Sequence, residues 1–296
     1  MTTTSRPQPV TVGVDASRSR TLTAVEHGVP LARALDAPLR LVHASALPFE
    51  GVAFTPYEVD AAREEAAAIL VRAADDAHRL GPDLAVTTHP VLGSATLALE
   101  SASKESSALV VVRRDARTAE RLLTGSTSSR VATHASCPVV VVPAGVRPAS
   151  TGPVVVAIDA DSPSHAALTY AFEAARRART DLLVLHAAHR GGATQGQRGV
   201  GETLAGWRED YPEVEVHTRT VEASTVDACA DATRGARLLV LGRHRTTGPR
   251  APWTRSIAKA VLSRTACPVV TVPHDAVDLA YHPTPRAMAA PGGPVY

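Results

Sequence analysis

The chain has 296 residues, 45% hydrophobic, 20% charged and only 3% aromatic, with a formal net charge of +2. That length predicts about two domains, each able to bury its own core, while scarce aromatics and near-neutral charge argue against nucleic acid as a main partner. No run of about 20 apolar residues occurs, so no membrane partner is expected.

The first residues, MTTTSRPQP, lack the apolar stretch of a secretory signal, which points to the cytoplasm. Three cysteines (Cys137, Cys229, Cys267) with no CxxC pair read as buried thiols in a reducing compartment, and no metal site is expected. Apolar β-branched runs predict strands at 10–14, 39–43, 84–89, 108–112 and 138–142. Helical patterns near 19–35, 57–80, 94–105 and 119–134 lie between them. The stretch Val59–Leu80 reads as an amphipathic surface helix.

A linker follows from Pro143 to Pro153, and then the pattern starts again. Val12-Gly13-Val14-Asp15 recurs as Val156-Ala157-Ile158-Asp159, and Leu41-Val42-His43-Ala44 as Val184-Leu185-His186-Ala187. Ala135-Ser136-Cys137-Pro138 followed by four valines recurs as Thr265-Ala266-Cys267-Pro268-Val269-Val270-Thr271-Val272. A repeat of roughly 140 residues is a domain duplication, not a solenoid. Strands are expected again near 153–158, 181–186, 213–221, 237–241 and 268–272. Five glycines between Arg190 and Gly201 predict a mobile loop. The tail 275–296, proline-rich and without period, predicts disorder.

Strands that are nearly all apolar suit a parallel sheet covered on both faces. The expected fold is therefore α/β: two tandem, open, five-stranded, Rossmann-like parallel sheets with helices on both faces. The expected domains span 8–146 and 152–274. Ligands of such sheets bind beyond the carboxyl ends of the strands. Asp15 and Asp159 stand there, and each either accepts from a nucleotide or caps the following helix.

Leu122-Leu123-Thr124-Gly125-Ser126-Thr127-Ser128 and Trp253-Thr254-Arg255-Ser256-Ile257-Ala258 each precede a helix that ends at a Cys-Pro pair. A Gly-Ser step opening a helix can present backbone N–H groups to a phosphate. With the VGVD start, the LVHA second strand and the G-S-x-S…C-P-V-V-V-V ending, the chain resembles the universal stress protein family in tandem form, from about residue 8 to 274. That resemblance implies an adenine nucleotide alpha hydrolase-like fold and a cytoplasmic stress-response regulatory module, often dimeric. Its members divide into ATP binders and non-binders.

Binders carry G-x2-G-x9-G-(S/T) after the fourth strand. Here Gly125, Ser126 and Ser128 match its end, but Val112 and Asp115 replace the first two glycines. A Cβ at both limits backbone approach, and an aspartate repels a polyphosphate by about 1 kcal/mol at about 4 Å in water. Arg113, Arg114 and Arg117 offer an offset, although solvated arginines are the commoner case. In the second copy Gly242 and Ser256 persist, while Arg245 and Arg255 replace the later glycines and Ala258 the second hydroxyl. Pocket filling by arginine is the expectation there. The backbones of Ala44 and Ala187 would face an adenine ring.

The resemblance thus implies a degenerate site for ATP, with Mg if bound, in which the first domain is the favoured binder. The alternative is a protein–protein scaffold, with an unknown protein partner, that binds no nucleotide. Enzymatic activity is not expected, since neither GxSxG nor GxxxxGK[ST] occurs. For slow ATP hydrolysis only Asp15 or Asp115 is a candidate base. His186-x-x-His189 has no acidic or Cys companion, and His43 and His186 read as structural. The resemblance also implies pairing through the fifth strands, Val139–Val142 and Val269–Val272. Within one chain these edges are expected to cover each other, and a homodimer stays open.

Overall fold

The computed structural model describes residues 7–45, 55–114, 127–149, 151–159, 162–188, 192–243 and 251–274. The expected tail therefore lies outside the described residues.

The first half runs β1 (Val10–Gly13), α1 (Arg18–Ala34), β2 (Leu39–Ser45), α2 (Pro56–Leu80), β3 (Val86–Leu92), α3 (Ala95–Ala102), β4 (Ala108–Arg113), α4 (Thr127–His134) and β5 (Val139–Pro143). The second repeats this order: β6 (Val154–Ile158), α5 (His165–Ala178), β7 (Leu182–Ala187), α6 (Ala193–Asp210), β8 (Val216–Val221), α7 (Thr225–Ala232), β9 (Leu238–Gly242), α8 (Ala251–Arg264) and β10 (Val269–Val272). Local chemistry sets the boundaries. At α2, Thr55 and Glu58 form a reciprocal capping box with Pro56 in the first turn. Ser164 and Ser224 cap α5 and α7 through their hydroxyls.

Each half places its strands in the order 3-2-1-4-5, all parallel. The halves join edge to edge, because β5 and β10 pair antiparallel and make one ten-stranded sheet. Val140 faces Val270 at the centre of that pair, flanked by Val141–Val269 and Val139–Thr271. Val140 and Val270 are the repeat-equivalent residues, so a pseudo-twofold passes between them, as in an isologous dimer interface.

One apolar core lies on each face and runs across both halves. Val25, Ile69, Phe172 and Leu204, from α1, α2, α5 and α6, pack on one side. Leu99, Val131, Cys229 and Val261, from α3, α4, α7 and α8, pack on the other.

Two arginines lock the join. Arg113 ends β4 and donates to the carbonyls of Leu262 and Thr265, at the C-terminal end of α8. Its repeat equivalent Arg243, just beyond β9, donates to the Ala135 carbonyl, just past α4. Each half thus caps the other half's last helix with a cation, the favourable sign at a helix C-terminus. Thr271 adds a buried bond from its hydroxyl to the Ala132 carbonyl at 2.8 Å. Burial pulls the Arg243 guanidinium down to about 10.

One expectation fails. The segment expected as a glycine-rich loop is helical from Ala193 onward. Val200, Leu204 and Tyr211 are buried and Trp207 packs against the same core, an apolar stripe at helical spacing. Trp207 stacks on Phe172 with ring centroids 5.3 Å apart. Gly196 brings the helix so close to His186 that a Cβ would lie 2.6 Å from its ring. Burial of that stripe outweighs the low helix propensity of the glycines.

Candidate functional site

In the first half the strand order reverses between β1 and β4, which opens a crevice at their carboxyl ends. The register sets what meets there. Gly13 pairs with Val42, and Val12 with Val110. Asp15 therefore emerges level with Ala44 on one side and with the end of β4 on the other.

Asp15 is not an open carboxylate. Its Oδ1 accepts from the Ser17 N–H at 2.8 Å and from Arg20 Nη2 at 2.5 Å. Its Oδ2 accepts from Arg114 Nη2 at 2.8 Å and Nε at 3.2 Å. A carboxylate offers about four acceptor positions, and four donors fill them. Burial alone would raise its pKa, but the Arg20 bond, the Ser17 N–H and Arg114 overcome this and hold it at about 2. Asp15 does not itself cap α1: its bond to the Ser17 N–H is a side-chain turn that leads into the helix, whose N-cap Ser17 makes no side-chain cap bond.

Arg113 and Arg114, for which solvation was the expectation, are both engaged. Arg113 crosses to α8, and Arg114, whose side chain is 50% exposed, reaches back to Asp15. Successive residues of a strand point to opposite faces, so one arginine serves the join and the next the crevice.

His43 and His186 occupy equivalent positions. Nδ1 of His43 lies 2.8 Å from the Val14 carbonyl, and Nδ1 of His186 lies 3.2 Å from that of Ile158. Val14 and Ile158 immediately precede the two aspartates, so both histidines position backbone, as expected of structural residues. His189 lies outside the described residues.

Ser128 sits in the first turn of α4 as described and is 5% exposed. Gly125, Ser126 and Asp115 lie outside the described residues, as do Arg117 and Arg245. Ala44 is half-buried at the end of β2.

In the second half Asp159 is exposed beyond β6, and Ala187 ends β7. Gly242 has a packing reason that the motif did not reveal: a Cβ there would lie 2.4 Å from Ser164 Cβ, at the N-cap of α5. The start of α6 stands against His186, beside Ala187. Ser256 and Arg255 fall in α8.

The structure thus joins Asp15 to Arg114 at the carboxyl ends of β1 and β4, with Ala44 level with Asp15 on β2 by register. The sequence did not single out Arg20, Arg113 or Arg243 for the partners they take. The signal available was the Arg113–Arg243 equivalence in the repeat.

The chain matches the universal stress protein family over residues 7–143 and 187–273. The second stretch begins at the end of β7, and β6, α5 and β7 complete that unit by topology. A universal stress protein of Mycolicibacterium smegmatis is 31% identical over 286 residues, covering 89% of this chain and 96% of that protein. One from Mycobacterium tuberculosis strain H37Rv is 28% identical over 211 residues, covering 64% of this chain and 67% of its own. Among solved structures, a universal stress protein from Archaeoglobus fulgidus superposes with a TM-score of 0.72 at 19% identity, covering 90% of this chain and 97% of that one. With three quarters of its length matched in two stretches and the same strand order in both halves, the chain belongs to the universal stress protein family.

Proposed function

We propose that this protein is a regulatory module whose first half binds an adenine nucleotide weakly and whose second half is mainly a structural partner. The observation that carries this reading is the contrast between the two crevices. In the first, an ionised Asp15 stands level with the Ala44 backbone, and the half-exposed Arg114 can leave it. In the second, α6 packs on His186 and Ser164 fills the space beside Gly242.

The chemistry is an exchange. A ribose hydroxyl or adenine amine donates to Asp15 in place of Arg114, and the freed guanidinium pairs with phosphate. Giving up a charge-assisted pair costs binding energy, so the affinity is low. ATP would bring Mg on its phosphates, and the Gly125 and Ser126 amides with the Ser128 hydroxyl would meet them on the family's pattern. In the second half Ser256, Asp159 and Ala187 correspond to Ser126, Asp15 and Ala44, and Gly242 to Val112.

Equilibrium dialysis of labelled ATP with Mg against the full chain tests this. Saturable binding of one nucleotide per chain supports it. A second reading, a scaffold that binds no nucleotide, draws on the saturation of Asp15 by four donors, and absent binding would favour it.

A further inference from the structure

A cluster far from both crevices has the donors and the spacing of a metal site. Asp181 precedes β7, Glu215 precedes β8, and His217 lies within β8, the outermost strand of the second half. The sheet fixes all three backbones. Leu182 N–H donates to the Glu215 carbonyl at 2.9 Å, Val154 N–H to that of Asp181 at 3.0 Å, and Leu183 pairs with His217. Glu215 and His217 are two residues apart on one strand, so their side chains share a face. Asp181 stands level with Glu215 on the neighbouring strand.

One ligand atom from each residue lies within 4.8 Å of the others. His217 Nε2 is 3.4 Å from Glu215 Oε1 and 3.6 Å from Asp181 Oδ2. Those separations are longer than the usual hydrogen bond of about 2.7–3.2 Å and lie within ion-pair range. The two edges to His217 also match the edge of a tetrahedron, about 3.4 Å, around an ion bound at about 2.0–2.1 Å. One imidazole and two carboxylates suit zinc-class ions, whereas magnesium and calcium prefer oxygen alone. The exposed side chains leave a fourth position to water.

The duplication argues that the fold does not need this cluster. By strand register, the equivalent first-half residues are Pro38, Ala85 and Thr87, none of them a comparable ligand. We propose that Asp181, Glu215 and His217 form a three-ligand site for a divalent zinc-class ion, completed by water.

The test is calorimetric titration of Zn2+ into the chelator-treated full chain, beside His217→Ala and Asp181→Asn, with Co2+ absorption as a spectroscopic readout of tetrahedral binding. Because all three residues are exposed, both variants should keep the wild-type thermal midpoint, and either suffices. The expected result is one ion per chain, an affinity at least about tenfold weaker in each variant, and loss of the cobalt band. His134→Ala, an exposed histidine elsewhere, should change nothing. Failure of the wild type to bind an ion, or wild-type affinity in His217→Ala, would overturn the proposal.

Discussion

Arg114 grips a single oxygen of Asp15 through two nitrogens, Nη2 at 2.8 Å and Nε at 3.2 Å. This pair spans the crevice between β1 and β4, where the strand order of the first half reverses. The carboxylate is held ionised and saturated, so entry of a ligand there is an exchange of partners.

The same pair makes stability depend on pH. Asp15 has a folded pKa of about 2 against a reference of 3.8. Because the folded value is the lower one, its contribution is fully present above pH of about 4 and is lost as pH falls toward 2. The carboxylate is partly exposed, so the contribution is about 1–2 kcal/mol. Asp15→Asn should remove that part of the acid dependence, and Arg114→Ala should reduce it. Urea unfolding at a series of acidic pH values measures both, and an unchanged slope in Asp15→Asn would count against this assignment.

Helix α6 offers a paired glycine test. A Cβ at Gly196 would strike the His186 ring at 2.6 Å, whereas one at Gly201 meets nothing within 4 Å. Gly201→Ala should stabilise the protein by up to about 1 kcal/mol through helix propensity. Gly196→Ala should destabilise it, since overpacking costs about 1–3 kcal/mol and exceeds the propensity gain. Thermal unfolding of the two variants should move in opposite directions. If the segment were a loop, both would be near neutral.

The pseudo-twofold between Val140 and Val270 predicts the behaviour of an isolated half. Residues 1–148 expose β5, four of whose residues are buried valines in the whole chain. An unpaired apolar edge seeks a partner, and the isologous geometry offers a second copy, Val140 against Val140. Light scattering should show a dimer, and a stable monomer would mean that the edge needs no cover.

The cysteines should be inert in the native protein. Burial pushes Cys137, Cys229 and Cys267 each up to about 12, which leaves almost no thiolate at neutral pH. Alkylation by iodoacetamide should wait for unfolding, and rapid modification of the folded chain would contradict their placement.

The central strands were legible because each is an apolar run bounded by turn residues, the polar edge strands β3 and β8 by their β-branched residues, and the repeat of Val12–Asp15 at Val156–Asp159 disclosed two units of one topology. Helix α6 was not legible. Its glycines mask a stripe of Val200, Leu204, Trp207 and Tyr211 that shows its worth only against Phe172 and the sheet. Arg113 and Arg243 bond to backbone carbonyls more than a hundred residues away, and backbone carbonyls leave no mark in a sequence. Asp15 was found as a candidate, but its saturation was not, because Arg114 lies 99 residues away in sequence and meets it only once β4 pairs with β1. Gly242 is legible as the first glycine of the motif, but its close approach to Ser164 is not, because that contact comes from another helix.

The most direct test of the account is equilibrium binding of labelled ATP with Mg to the wild-type chain, to Asp15→Asn and to Asp159→Asn. The prediction is one weak site per chain, weakened at least about tenfold by Asp15→Asn, the equivalent of about 1.4 kcal/mol for a lost bond to a charged group. Asp159→Asn should bind as the wild type does. No saturable binding by the wild type, or equal binding by the wild type and Asp15→Asn, would contradict the assignment of the nucleotide to the first half.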